Sequence, residues 1–245
     1  MSGVSKRFGD LVVLDGLDLE LHPGETLVML GRSGTGKSVT LKHVVGLLRP
    51  DAGRILVGDV DVATATPAQL RAVRRRVGFM FQTGALIAWL DVRANVALPL
   101  VEERRLPRAR VDEAVEQALA SVELLDAADR MPAQISGGMR RRAALARVLV
   151  QEPDIVLYDE PTSGLDPVLS RSVARLIRRV QGSRRAALVV THDLALAFSI
   201  ADRIGLHDEG RFVEVGPPEV FRASEHPVVR SFLADAPASP PETGR

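Results

Sequence analysis

Residues 31–38 read GRSGTGKS, which satisfies the pattern G-x-x-x-x-G-K-S. That spacing is suited to holding phosphate. Gly31, Gly34 and Gly36 let the backbone bend until several N–H groups aim at one anion, at a helix N-terminus whose partial positive charge adds to them. Ser33, Thr35 and Val39 lie in or beside the same turn. Lys37 is placed to reach the β- and γ-phosphates, and the Ser38 hydroxyl to take one position on Mg²⁺.

Two adjacent acids, Asp159 and Glu160, follow the apolar run IVLY. In open α/β sheets, ligands bind at the C-terminal ends of such buried strands. Asp159 suits Mg²⁺ held through water, and Glu160 suits a carboxylate that orients and polarises the water attacking a γ-phosphate. A second apolar run, AALVV at residues 186–190, leads into Thr191 and His192. His192 thus sits at a strand end of the same kind, where it either senses the γ-phosphate or serves the structure. Gln82 closes the run 77–81, and an amide where a buried strand meets its loop can coordinate a metal or a water.

Other residues admit two readings. Ile135-Ser136-Gly137-Gly138-Met139 opens a helix expected over 140–150, and its serine and glycines are either an anion cradle or a plain N-cap. Phe8 stacks on an adenine ring or packs locally. Arg71, Arg74, Arg75 and Arg76 form a solvated face or meet a phosphate or lipid headgroup.

The elements that position these groups follow from periodicity. Residues 26–30 are apolar throughout, as in a strand buried on both faces of a parallel sheet. Apolar spacing after Val39 is helical. Residues 11–14 and 17–21 read as a hairpin across Asp15-Gly16. Helices are expected over 111–128 and 170–180, and a hairpin at 203–207 and 211–215. The helical middle interrupts a βα pattern, so residues of about 84–150 are expected to be an inserted helical subdomain within a single domain, 1–233. Residues 234–245, rich in Pro and Ala, read as a disordered tail.

Composition excludes several classes. Hydrophobic content of 46% with 26% charged residues is that of a soluble globular chain. Without cysteine there is neither a disulfide nor a thiolate metal site. A formal net charge of +1 gives no electrostatic case for nucleic acid, so no nucleic-acid partner is expected. No apolar run approaches the roughly 18–20 residues needed to cross a bilayer, and the first residues lack an apolar leader. A cytoplasmic protein is expected, reaching a membrane only through a partner.

Taken together, and in this order, these motifs resemble the ATP-binding subunit of ABC transporters, over residues 4 to about 233. GRSGTGKS matches the family's Walker A, Gln82 its Q-loop, ISGGM its LSGGQ signature and IVLYDE its Walker B. SGLD at residues 163–166 matches the D-loop, and His192 the switch histidine. The resemblance implies an α/β fold, a P-loop NTPase of the ABC ATPase type. Its core would be a mixed, mostly parallel sheet, with an N-terminal antiparallel β element and the helical insert. It implies a head-to-tail homodimer with ATP and Mg²⁺ between the loop 31–38 of one copy and Ser136, Gly137 and Gly138 of the other. Asp166 would join the nucleotide contacts, with Phe8 as adenine platform. Ser38, Gln82 and Asp159 would hold the metal, while Glu160 as base, Lys37 and His192 would act on the γ-phosphate. An integral membrane permease would dock near the segment after Gln82.

Residues 77–100 and 134–147 are similar to the ATPases of Mla/MCE-type lipid transport systems, in which methionine commonly stands where Met139 does. This implies phospholipid transport between membranes with an MCE-domain lipid-binding protein, sometimes a STAS-domain protein, and a place on the cytoplasmic face of the inner membrane. An importer ATPase for a small solute such as an amino acid is the other transporter reading. A non-transport relative acting on DNA or ribosomes would show a long coiled coil or two cassettes, and neither is visible.

Overall fold

The structure, a computed structural model, describes residues 1–103, 106–182 and 185–235. Its centre is β3 (Thr26–Leu30), buried at every residue as its unbroken apolar run requires. β3 pairs in parallel with β9 (Ala186–Thr191) on one side and β10 (Arg203–Asp208) on the other. β8 (Ile155–Asp159) and β7 (Val77–Met80) extend the parallel sheet, and β11 (Arg211–Gly216) adds an antiparallel edge, giving the order β11-β10-β3-β9-β8-β7. The expected hairpin at 203–215 is present as β10 and β11.

A three-stranded antiparallel sheet lies ahead of this core: β1 (Ser2–Phe8) between β2 (Leu11–Leu17) and β4 (Ala52–Arg54). Here the sequence expectation is corrected. The β1–β2 hairpin turns at Gly9-Asp10, with Phe8 opposite Leu11, whereas Asp15-Gly16 lies inside β2. The Asp-Gly pair looked like a turn because its type fits one, but Gly16, at a φ of 68°, bends a strand instead. Residues 18–21 are not strand. β5 (Leu56–Val57) and β6 (Val60–Asp61) form a small ribbon.

α1 (Lys37–Val44) stops one turn earlier than its apolar pattern suggested, at Gly46, whose φ of 64° no helix continues. α2 (Pro67–Arg76) starts on a capping box between Thr66 and Gln69. Between β7 and β8 stand α3 (Val92–Glu103), α4 (Arg108–Ser121) and α5 (Gly137–Leu149). The helix expected over 111–128 ends instead at Ser121, because Glu123 takes a φ of 58° and a short 3-10 turn follows. α6 (Pro167–Gln181) is capped by Asp166, and α7 (Leu194–Ile200), α8 (Pro218–Arg222) and α9 (Pro227–Ala234) complete the chain. α9 includes Ala234, and Asp235 pairs with Arg32 at 2.7 Å. Residues 234 and 235, expected in a disordered tail, are thus part of the fold; the rest of that expectation, residues 236–245, lies outside the described residues.

Two apolar clusters cover the two faces of the large sheet. One joins Val28, Leu30, Val156 and Tyr158 to α3, α4 and α5, so the helical insert is packed on the sheet rather than hung from it. The other joins Leu27, Met29 and Leu157 to α1, α2 and the antiparallel sheet. No helix among the described residues is long and apolar enough to cross a membrane.

His207 in β10 is fully buried, and neither ring nitrogen has a hydrogen-bond partner among the described residues. Burial first, and the positive charge of Lys37 second, hold its pKa down at about 4. An unfolded histidine, with a pKa near 6.5, takes up a proton that the folded one refuses. Stability is therefore intact above pH ~6.5 and falls as the pH drops from there towards 4, by about 3 kcal/mol in full. In urea denaturation at a series of pH values, His207→Leu is expected to flatten that acid limb; an unchanged limb would exclude His207 as its source.

Candidate functional site

Strand register assembles the site. Leu30 lies beside Thr191, Val190 beside Asp159, and Tyr158 beside Met80. The loop after β3, the acids after β8, His192 after β9 and Gln82 after β7 consequently emerge at one edge, the C-terminal ends of parallel strands.

The loop 31–38 has no room for side chains where it is most enclosed. A Cβ at Gly31 would stand 2.6 Å from the His207 carbonyl oxygen, and one at Gly36 would stand 2.7 Å from Val13 Cγ1. Gly34 and Gly36 hold φ values of 85° and 101°, which favour glycine. Gly36 is also the N-cap of α1 and offers no side-chain acceptor, so the first-turn amides are left as donors for an anion. Thr35 Oγ1 donates to the Arg32 carbonyl at 3.0 Å and closes the turn, while Ser33 and Gly34 stay exposed and Val39 is half-buried.

Lys37 is 5% exposed. Its ammonium donates to the carbonyls of Gly31 and Arg32, each at 2.8 Å, and lies 3.8 Å from Glu160 Oε1. Burial lowers its pKa, against the pull of Glu160 and Asp159. Ser38 Oγ donates to Asp159 Oδ1 at 2.6 Å. Burial raises the Asp159 pKa, and the Ser38 hydrogen bond opposes the rise. A hydroxyl and a carboxylate oxygen side by side are hard ligands of the kind Mg²⁺ takes when phosphates supply the remainder. Among the described residues no three His, Cys, Asp or Glu side chains converge as a metal cage. The pair thus fits a cation that arrives with its phosphates better than a resident one.

Glu160 has a φ of 47°, unusual for a residue with a side chain. Its N–H donates to the Val190 carbonyl at 2.9 Å, and its carboxylate accepts from Thr191 Oγ1 at 3.1 Å. His192 Nδ1 lies 3.0 Å from both carboxylate oxygens. Because a carboxylate only accepts, the Nδ1 atom carries the proton in that contact. Glu160 is 8% exposed, held from two sides beside the loop lysine.

The other expected residues fall into separate groups. Gln82 is exposed, and its Nε2 reaches Ser163 Oγ at 3.4 Å. Ser136 Oγ accepts from the Met139 N–H at 3.2 Å, so within one chain it is an N-cap. Gly137 and Gly138 face Leu165 and Leu169, and Asp166 Oδ1 accepts from the N–H groups of Val168 and Leu169. Among the described residues no hydrogen bond links Ser136, Gly137, Gly138 or Asp166 to the loop 31–38. Phe8 is 47% exposed at the hairpin end, with Lys6 Nζ 5.5 Å from its ring centroid. Of the basic run, Arg74 caps carbonyls of Val45 and Gly46 while Arg75 and Arg76 pair with Glu103 and Asp154. That leaves Arg71 alone as a cation for headgroups. Sequence reasoning missed Thr191 as a partner of Glu160. The only signal for Thr191 was its place next to His192.

Residues 14–163 match the ABC transporter family. The probable ribonucleotide transport ATP-binding proteins mkl of Mycobacterium bovis and Mycobacterium tuberculosis are 40% identical over 234 residues, 95% of this chain and 65% of their own length. The methionine import ATP-binding protein MetN of Xanthomonas campestris is 41% identical over 228 residues, 92% of this chain and 68% of that protein. The chain therefore spans just under two thirds of the mycobacterial relatives. Among solved structures, the dimeric ATP-binding cassette MJ0796, bound to ADP and phosphate in a post-hydrolysis state, superposes with a TM-score of 0.79 at 29% identity, over 88% of this chain and 97% of that one. The fold is thus that of an ABC ATPase cassette, as the motif order implied.

Lys37 puts a desolvated charge beside the uncapped amides. Lys37→Ala should lower Mg-ATP affinity in calorimetric titration by roughly 10- to 150-fold, the worth of one charge-assisted hydrogen bond. Unchanged affinity would show that the loop does not bind the triphosphate.

Proposed function

The chain belongs to the ABC transporter family, and on that premise we propose that it is the ATP-hydrolysing subunit of an ABC transport complex whose cargo is a phospholipid or related lipid. The observation that carries the hydrolytic part is the convergence of Lys37, the Ser38–Asp159 pair and the Glu160–His192 pair at one sheet edge.

The reaction is attack of water on the γ-phosphorus with ADP leaving. The amides of α1 and the Lys37 ammonium hold the phosphates and neutralise charge on them. Ser38, Asp159 and the Gln82 amide oxygen would hold Mg²⁺, which when bound supplies Lewis-acid stabilisation of that charge. Glu160, fixed by Thr191 and His192, accepts the water's proton and keeps it off the phosphate oxygens. His192 is placed to report on the γ-phosphate through the same carboxylate.

ATP-driven closure would pair two copies head to tail, bringing Ser136, Gly137, Gly138 and Asp166 of one copy over the loop 31–38 of the other. Phe8 would support the adenine. A permease would dock on the segment after Gln82. Support comes from Asn95, which is buried and bonds Ile87, Leu90 and Asp91, so that the segment is rigid and presents Trp89 at 79% exposure. That docking would place the protein on the cytoplasmic face of the inner membrane.

The lipid assignment rests on the likeness of residues 77–100 and 134–147 to Mla/MCE-type ATPases, including Met139, and brings as partners an MCE-domain protein and, as in some such systems, a STAS-domain protein. A second reading, import of a small solute, is favoured by relatives named for methionine import and ribonucleotide transport. Affinity purification of the tagged chain from its native membranes separates them. An MCE-domain protein beside the permease supports the lipid reading, and a periplasmic solute-binding protein overturns it.

Glu160→Gln should bind Mg-ATP normally, lose about 10²- to 10⁴-fold in turnover, and sediment as a dimer with ATP. Turnover at the wild-type rate would remove Glu160 from its role.

A further inference from the structure

Helix α5 carries four arginines, and each holds a different part of the molecule. Arg140 donates to the Ile135 carbonyl at 2.8 Å, just before the signature serine. Arg142 joins Glu123 and Ser172. Arg147 donates from both amino groups, at 2.7 Å each, to the carbonyls of Gly84 and Ala85 in the segment after Gln82. Arg141 Nη2 donates to the Ser163 carbonyl at 2.9 Å.

Ser163 is where these contacts meet the chemistry. Its N–H donates to the Glu160 carbonyl at 3.2 Å, its hydroxyl accepts from Gln82 Nε2 at 3.4 Å, and its carbonyl is the one that Arg141 takes. One residue is therefore bonded to the proposed base, to the proposed metal-side amide and to the helix capped by Ser136. Arg141 itself is half-buried, and its Nη1 is shut away from solvent with no partner among the described residues. Desolvating a guanidinium while leaving one of its amino groups unsatisfied costs stability. Folding alone disfavours such an arrangement, which is characteristic of positions where geometry serves a reaction.

We propose that Arg141 is a positioning residue for hydrolysis. Through the Ser163 carbonyl it fixes the turn 160–163, and so sets Glu160 and Gln82 relative to one another. Arg147 holds the far side of the Gln82 loop from the same helix. α5 is thus tied at once to the signature, to the turn after the base and to the loop after the metal-side glutamine. This rests on the hydrolytic reading of Glu160 above.

The test is steady-state ATPase kinetics on the full-length protein, with nucleotide binding and thermal melting measured in parallel. Arg141→Gln should lower kcat by roughly 10- to 100-fold while KM for ATP stays within about 2-fold, because misplacing a reacting group costs turnover rather than ground-state binding. Arg141→Lys, which keeps the charge and one donor, should recover part of the loss, and it carries the test if the glutamine variant does not fold. Ser163→Ala cuts the tie to Gln82, and its effect should be non-additive with Arg141→Gln. Unchanged kcat in Arg141→Gln overturns the proposal, as does a fall in kcat, affinity and melting temperature together, which would mark a purely structural residue. A wild-type protein without ATPase activity would instead overturn the hydrolytic reading, and this proposal with it.

Discussion

A lysine ammonium enclosed in protein is the constraint around which the rest of the structure is arranged. Lys37 is removed from water between two loop carbonyls and a carboxylate 3.8 Å away, and those groups satisfy it only in part, since burial still lowers its pKa. Asp159 beside it faces the same difficulty with opposite sign: burial raises its pKa. Opposite charges that are each desolvated and imperfectly paired cost stability in the resting fold. A ligand bringing both negative oxygens and a cation, as in the proposed function, would satisfy both at once.

Holding that arrangement open requires rigidity nearby. Five parallel strands provide it, since their registers fix where each loop leaves the sheet, and two apolar faces keep the registers from slipping. The antiparallel sheet adds a wall: Val13 lies so close to Gly36 that any side chain there would collide with it. On the opposite face, the bridging of Glu123 to both Arg142 and Arg179 ties the helical insert to α6, so the insert and the core are mechanically linked.

The sequence marked out the candidate site more clearly than the fold around it. The glycine-rich loop, the paired acids, His192 and Gln82 could be picked out as candidates because the proposed chemistry requires particular side chains at the ends of apolar runs. Their grouping at one edge followed from parallel topology. The β1–β2 turn was not legible, because Asp15-Gly16 and Gly9-Asp10 carry the same local signal and only tertiary pairing decides between them. The end of α4 was hidden for a related reason: Val122 and Leu125 continue the apolar spacing although the backbone has left the helix at Glu123. Arg141 and Arg147 were invisible as anything but charge on an amphipathic helix, since a side chain that bonds a distant carbonyl leaves no trace in spacing. Ser136 was left between cap and cradle, and a single chain shows the cap.

The exposed indole at residue 89 has a use apart from the proposed docking. It is the chain's single tryptophan, and the single tyrosine, Tyr158, is fully buried in the sheet. Intrinsic emission excited at the red edge of protein absorption therefore comes from one spot, the rim beyond Gln82, with no second indole to blur it. Whatever covers that rim dries the fluorophore and shifts its colour, so the unlabelled protein already carries its own optical gauge of occupancy at that surface.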